Sequence, residues 1–232
     1  LDARMIFEGY RIVREIHASS RSHIYLAIDV ATELTVAVKV PSIDLRGDPA
    51  YLKRFLMEDW IARRIDNPHV LKAISSTRRR DHLYVVTEFV DGQTLAQWMI
   101  DHPRPDLDAV RDIIEQIARG LQALHRKEML HQDLRPANIM IDRTRTVKII
   151  DFGSVRVSGV VEADPAADHD SILGTQQYTA PEYFLGEGGT EWSDQFSLGV
   201  IAYQMLTGRL PYGAQMARAR TRAQFRKAQY VP

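Results

Sequence analysis

His131-Gln132-Asp133-Leu134-Arg135-Pro136-Ala137-Asn138-Ile139-Met140-Ile141-Asp142 is the stretch on which the reading of this chain turns. It lies in a loop after a long amphipathic segment. That segment, Asp108–Met129, carries Val110, Ile113, Ile114, Ile117, Leu121 and Leu124 at helical spacing. Downstream, the apolar run Val147–Ile150 predicts a short strand, and Asp151-Phe152-Gly153 follows it directly. Residues 151–182 have no helical period and are rich in Gly, Ser, Asp and Ala, so they predict a long loop, closed by Ala180-Pro181-Glu182. Upstream, Val36-Ala37-Val38-Lys39 ends a strand. Each of these four short strings is weak alone. In this order and at these separations they reinforce one another.

The rest of the chain fits around them. Tyr10–Ile16, Ile24–Ile28 and Leu34–Val40 are β-branched-rich runs between polar turns, which predicts three strands. Pro49–Ile65 reads as a helix, with Leu52, Phe55, Leu56 and Trp60 at helical spacing. Leu71–Ile74 and Leu83–Glu88 return to strand character, and Asp91-Gly92-Gln93 reads as a polar turn and hinge. Ser193 or Asp194 is placed to cap a buried helix that runs to about Thr207 and stops at Gly208.

Composition sets bounds on function. The 232 residues carry 30 Lys+Arg and 30 Asp+Glu, a formal net charge of zero. Nucleic-acid binders present strongly basic surfaces, so balanced charge argues against that class. There is no cysteine, which excludes disulfides, thiolate zinc sites and Cys nucleophiles. The longest apolar stretch, Phe196–Leu206, is too short to span a bilayer, and no signal-peptide core follows the N-terminus. The chain starts at Leu, as a piece cut from a longer protein would.

On these motifs the chain resembles eukaryotic-type (Hanks-type) Ser/Thr protein kinases from Tyr10 to about Lys227. More narrowly, the wording HQDLRPANIMID, VKIIDFGSVRV, GTQQYTAPEYFLGE and SLGVIAYQMLTGRLPYG resembles bacterial bifunctional kinase/phosphatase proteins. In those, a phosphatase domain and a membrane anchor flank the kinase. The resemblance implies a two-lobed α+β fold: a small antiparallel-sheet N-lobe with one helix (1–90) and a helical C-lobe (91–232), incomplete at its end. It implies a cytoplasmic kinase, membrane-anchored in the full-length protein, that uses ATP and Mg²⁺ on Ser/Thr hydroxyls of protein substrates. A phosphatase domain in the same full-length protein is a further implied partner.

Phosphoryl transfer asks mainly for positioning and charge stabilisation. By resemblance, Lys39 holds the α/β-phosphates and Glu58, nineteen residues on, aims it. Asp133 orients the acceptor hydroxyl and takes its proton, and Arg135 stands near the transferring phosphate where the family has Lys. Asn138 and Asp151 are the Mg²⁺ ligands. Adenine is expected at Glu88–Val90, with Thr87 at the back and Ile24, Ala37 and Met140 around the ring. Ile16, Ser19 and Ser22 belong to the phosphate-covering loop. His131 and Phe152 are packing residues, and Asp194 anchors the catalytic-loop backbone.

Three departures stand out. The covering loop reads His17-Ala18-Ser19-Ser20-Arg21-Ser22, with none of the family's three glycines. Gln132 replaces the Arg that commonly receives an activation-loop phosphate, which predicts activity independent of phosphate on Ser171 or Thr175. Glu182 normally meets an Arg from a later helix, and the chain stops before that helix is expected. The missing glycines keep a pseudokinase as the alternative; a small-molecule kinase is the third reading, disfavoured by the peptide-platform segment Gly174–Glu182. The basic segment Ala214–Lys227 is a solvated face or a docking surface for an acidic partner or membrane.

Overall fold

The computed structural model describes residues 5–75, 80–158, 176–213, 215, 219 and 221–228. The chain divides into two compact units, Leu1–Asp91 and Gly92–Pro232. The first is built on a five-stranded antiparallel sheet in sequential order: β1 (Ile6–Phe7), β2 (Tyr10–Ala18), β3 (Ser22–Asp29), β4 (Thr35–Pro41) and β5 (Val85–Glu88). Period-2 alternation buries Tyr10, Ile12, Tyr25, Ala27, Val36, Val38, Val40 and Val86 in one cluster with Phe7 and Tyr84. Edge-to-face rings lock its centre, Phe7 and Tyr10 lying 5.4 and 5.9 Å from Tyr84.

Helix α1 (Pro49–Arg64) starts at Asp48, whose carboxylate accepts the backbone N–H groups of Ala50 (2.9 Å) and Tyr51 (3.2 Å). Pro49 at the first helical position loses no needed donor. The strand expected at Leu71–Ile74 is reduced to a single bridge, Ala73 opposite Thr87. Ile74 N–H still donates to Val86 O and Glu88 N–H to Lys72 O. The run is apolar enough for a strand but pairs along β5 for too short a distance.

In the second unit, β6 (Gly92–Thr94) precedes α2 (Leu95–Asp101) and α3 (Leu107–His125). Then come β7 (Met129–Leu130), β8 (Ile139–Asp142), β9 (Val147–Ile149) and β10 (Arg156–Val157). Helices α4 (Pro181–Phe184), α5 (Glu191–Thr207) and α6 (Arg222–Lys227) follow. Gly92 is therefore a strand residue rather than part of the turn expected, although the division between the two units does fall at Asp91 and Gly92: β6 pairs antiparallel with β8, Gly92 opposite Asp142. A Cβ on Gly92 would stand 2.0 Å from Ile141 O, so only glycine permits this approach. Helix α3 buries the predicted stripe except the half-buried Ile114, and it ends at His125, leaving Met129 to a strand.

The buried helix α5 runs to Thr207 and stops at left-handed Gly208 (φ 70°), as its sequence predicts. Its N-cap is Thr190, not Ser193 or Asp194. Ser193 is the third helical residue and bonds back to Thr190 N–H (2.9 Å) in a capping box. Asp194 instead accepts the backbone N–H groups of His131 and Gln132. The predicted long loop 151–182 contains β10 and the start of α4; residues 159–175, with Ser171, Gly174 and Thr175, lie outside the described residues. Among the described residues no helix is long and apolar enough to cross a membrane.

Candidate active site

The strand β4 carries Lys39 on the face opposite the aromatic core. Register places Ile24 opposite Lys39, Leu26 opposite Ala37, and Ala37 opposite Thr87. Directly opposed residues of antiparallel strands share a face, so Ile24, Leu26, Ala37, Lys39 and Thr87 line one surface. Leu26 was not singled out from the sequence; the i, i+2 relation to Ile24 is the signal that marks it. Lys39 Nζ donates to Glu58 Oε2 of α1 at 2.5 Å, both side chains mostly buried. The ammonium also lies 5.7 Å from the Phe55 ring centroid. Glu88 N–H and carboxylate both engage Lys72, and Val90 is buried. Ile16 falls at a β-bulge between Glu15 and His17, unpaired with β3.

The covering loop closes without glycine because none of its residues takes a positive φ. Ser19 does the closing. Its hydroxyl accepts Arg21 N–H (3.2 Å) and Ser22 N–H (3.1 Å) and donates to Ser22 O (3.1 Å). Ser22 is buried. The Ser19 hydroxyl thus serves the hairpin tip, and the Ser22 side chain is buried there.

In the second unit, β7 and β10 pair antiparallel, stapling the two ends of the catalytic segment. Asp194, at 1% exposure, accepts His131 N–H (2.8 Å) on Oδ2 and Gln132 N–H (2.9 Å) on Oδ1. This braces Gln132 in a left-handed conformation (φ 66°) that L-residues rarely adopt. His125 Nε2 meets the same Asp194 Oδ2 at 2.8 Å, a contact 69 residues apart that no local pattern announces. Burial alone would raise the Asp194 carboxyl, but these hydrogen bonds outweigh it and hold the group below the usual Asp range. His131 is fully buried, its Nδ1 3.3 Å from Asp133 N–H, with the Phe152 ring edge-on at 6.4 Å.

Asp133 is pinned on one oxygen only. Oδ2 accepts Asn138 Nδ2 (3.0 Å) and lies 3.5 Å from Arg135 Nε. Oδ1 is buried with no hydrogen-bond partner among the described residues. Burial pushes the carboxyl up, and Asp151 adds to this against the opposing pull of Arg135 and His131. Asn138 also donates to Asp133 O (2.9 Å), and its own carbonyl accepts Ile150 N–H (2.9 Å). That last bond sets the start of Asp151-Phe152-Gly153 beside Asn138. Asp151 is exposed at φ 66°, with Oδ1 accepting Gly153 N–H at 3.1 Å.

The β8–β9 hairpin, flanked by Asn138 and Asp151 at its open end, is itself fixed at its turn. Asp142 Oδ1 accepts Thr144 N–H and Thr146 N–H, both at 2.8 Å, and Gln116 of α3 accepts Val147 N–H at 2.9 Å. Met140 lies on β8 opposite Thr94 and Lys148. Among the described residues no cluster of three or more His, Cys, Asp or Glu is placed to hold a metal. Asn138 and Asp151 fit the sparser need of Mg²⁺, which takes one or two protein oxygens and keeps water and phosphate for the rest. The Asn138 amide nitrogen is committed to Asp133, and its side-chain oxygen is the atom that could face a cation.

Glu182 accepts a hydrogen bond from the Ser193 hydroxyl. Arg222 of α6 pairs with Glu187, and Phe225 packs 5.8 Å from Phe184. The basic segment is therefore partly neutralised; Arg218 and Arg220 lie outside the described residues.

A catalytic loop braced by Asp194, a strand lysine paired to a helix glutamate and an acidic residue after β9 define a protein kinase domain. The protein kinase domain family model matches residues 10–231, and the chain belongs to that family. Among similar proteins are serine/threonine-protein kinase PrkC of Bacillus subtilis (30% identical, 94% of this chain, 33% of the relative) and PknA of Corynebacterium glutamicum (34%, 90% and 45%). PknB of Mycobacterium leprae is 33% identical over 82% of this chain and 31% of its own length. The fold is the two-lobed kinase fold and the chain is a Hanks-type Ser/Thr kinase domain. It spans less than half the length of these relatives. Nothing in the comparisons supports the pseudokinase alternative.

Proposed function

We propose that this domain transfers the γ-phosphate of Mg·ATP to Ser/Thr hydroxyls of proteins, with Asp133 as catalytic base. The observation that carries this is the half-satisfied Asp133 carboxylate. Oδ2 is fixed by Asn138 beside Arg135, while Oδ1, buried and unpaired among the described residues, is an acceptor awaiting a donor. An orphaned buried carboxylate oxygen is costly in a resting fold, and a substrate hydroxyl would satisfy it. The hydroxyl oxygen would attack the γ-phosphorus, the bond to the β–γ bridging oxygen would break to release ADP, and the proton would pass to Asp133.

Lys39, held by Glu58, is the cation for the α/β-phosphates. Ala37, Ile24, Leu26 and Thr87 offer a surface for adenine on the first unit, with Glu88 and Val90 following on the same strand and its exit. Asn138 and Asp151 would hold Mg²⁺, which when bound neutralises phosphate charge. Arg135, beside Asp133, supports the developing charge at the transferring group. Ile16 flanks the covering loop. In the intact protein a phosphatase domain would reset the modified substrates.

Intact-mass detection of phosphate on the chain and on a basic acceptor protein tests this. Asp133→Asn should cut turnover by about 10²- to 10⁴-fold, the usual weight of a positioned base. Asp151→Asn or chelation of Mg²⁺ should abolish it. Transfer that survives both substitutions would remove the assignment.

A further inference from the structure

What replaces the missing glycines is visible at the tip of the covering loop. The Arg21 carbonyl accepts two hydrogen bonds, from Ser42 N–H at 2.7 Å and from the Tyr51 hydroxyl at 2.5 Å. Two donors use both lone pairs of one carbonyl, so this point of the backbone is fully tethered. Tyr51 sits in the first turn of α1, where the Asp48 cap fixes its N–H. Its ring packs 6.1 Å from Phe55, the ring over which Lys39 lies. Glu58 follows about two turns later on the same helix and holds Lys39. A continuous run of contacts thus leads from the loop tip through α1 to the Lys39–Glu58 pair. Burial raises the Tyr51 phenol, with Lys39 opposing and Glu58 assisting, so the hydroxyl remains a donor at neutral pH.

We propose that Tyr51 is a positioning residue whose hydroxyl straps the glycine-free loop to the helix carrying Glu58, setting the loop over the nucleotide phosphates. A Gly-rich loop reaches phosphate by adapting its backbone; this loop is held ready by Ser19 inside the turn and by Tyr51 outside it. Ordering it beforehand lowers the entropy lost when nucleotide binds. The inference rests on the nucleotide reading above, but the strap itself does not.

Tyr51→Phe keeps the ring and removes only the hydroxyl. Two measurements on the full chain decide the matter. Arg21 is exposed, so trypsin reports release of the loop tip without any nucleotide present. Loss of one hydrogen bond should speed cleavage after Arg21 by about threefold to tenfold, with the melting temperature nearly unchanged. In steady-state transfer, KM for Mg·ATP should rise by about the same factor while kcat moves less, a split that a merely structural residue would not produce. Unchanged cleavage at Arg21 overturns the strap. Faster cleavage with an unchanged KM overturns its role in positioning. If the wild-type chain neither binds Mg·ATP nor transfers phosphate, the kinase reading fails instead, and the proteolysis arm alone decides whether the strap exists.

Discussion

Asp194→Asn probes the brace beneath the catalytic loop, and its cost follows from the hydrogen-bond count. Oδ2 accepts His125 Nε2 and His131 N–H; Oδ1 accepts Gln132 N–H. An amide keeps one acceptor oxygen and turns the other into a donor. The cheaper orientation places oxygen at the Oδ2 position, so the Gln132 N–H then faces an NH₂. One charge-assisted bond is lost with a buried donor left unpaired, about 1.5–3 kcal/mol, and the two surviving bonds weaken as the charge goes. A total of about 2–4 kcal/mol is expected, lowering the melting temperature by roughly 5–15 °C in a chain of this size. Gln132, no longer held at φ 66°, can leave the left-handed region, and Asp133 moves with it. Misplacing a base by about 1 Å costs up to roughly 10²-fold, so kcat should fall by about 10- to 100-fold. Thermal melting and saturating-ATP transfer on the same preparation test both parts. The sign of the pH dependence is also set. Because the folded Asp194 carboxyl lies below its unfolded value of about 3.9, its stabilisation is complete above that value and is lost as pH falls through the folded one. The gap between wild type and variant should therefore close below about pH 4. A melting temperature within about 2 °C of wild type at neutral pH, or undiminished kcat, would refute the argument.

Gly92→Ala should lower stability by about 1–3 kcal/mol, since the new methyl meets the Ile141 and Asp142 backbone, which cannot swing aside; an unchanged urea midpoint would contradict this. The raised Asp133 carboxyl should displace the acid limb of the kcat profile above the ordinary Asp range, with activity lost as pH falls through the raised value; a limb at the value of a free Asp would argue against Asp133 as base. Because a raised carboxyl costs stability once pH exceeds its folded value, Asp133→Asn should melt at the same temperature as wild type or higher at pH 7 while losing turnover. A clear drop in melting temperature would show the carboxylate to be a structural support.

Much of this domain could be read locally. Alternating β-branched runs announced β2, β3 and β4, the apolar stripe announced α3, and Gly208 marked the end of α5, because each signal acts between near neighbours in the chain. The set Lys39, Glu58, Asp133, Asn138 and Asp151 was proposed for a different reason: the ordered motifs resemble the kinase family, whose phosphoryl transfer asks for these residue types at separated positions. Tertiary structure decided the rest. Gly92 read as a turn because its need for glycine comes from a strand nearly fifty residues away. The local pattern offered Ser193 and Asp194 as caps because cap chemistry is local; the family resemblance alone gave Asp194 to the backbone of a loop more than sixty residues distant, and the hydrogen bonds from His131 and Gln132 bear that out. The absence of glycines at 17–22 looked like a defect because sequence shows composition, not φ. Only the folded sheet shows that no left-handed residue is required there, and only the packing of α1 shows Tyr51 reaching across thirty residues to hold the loop.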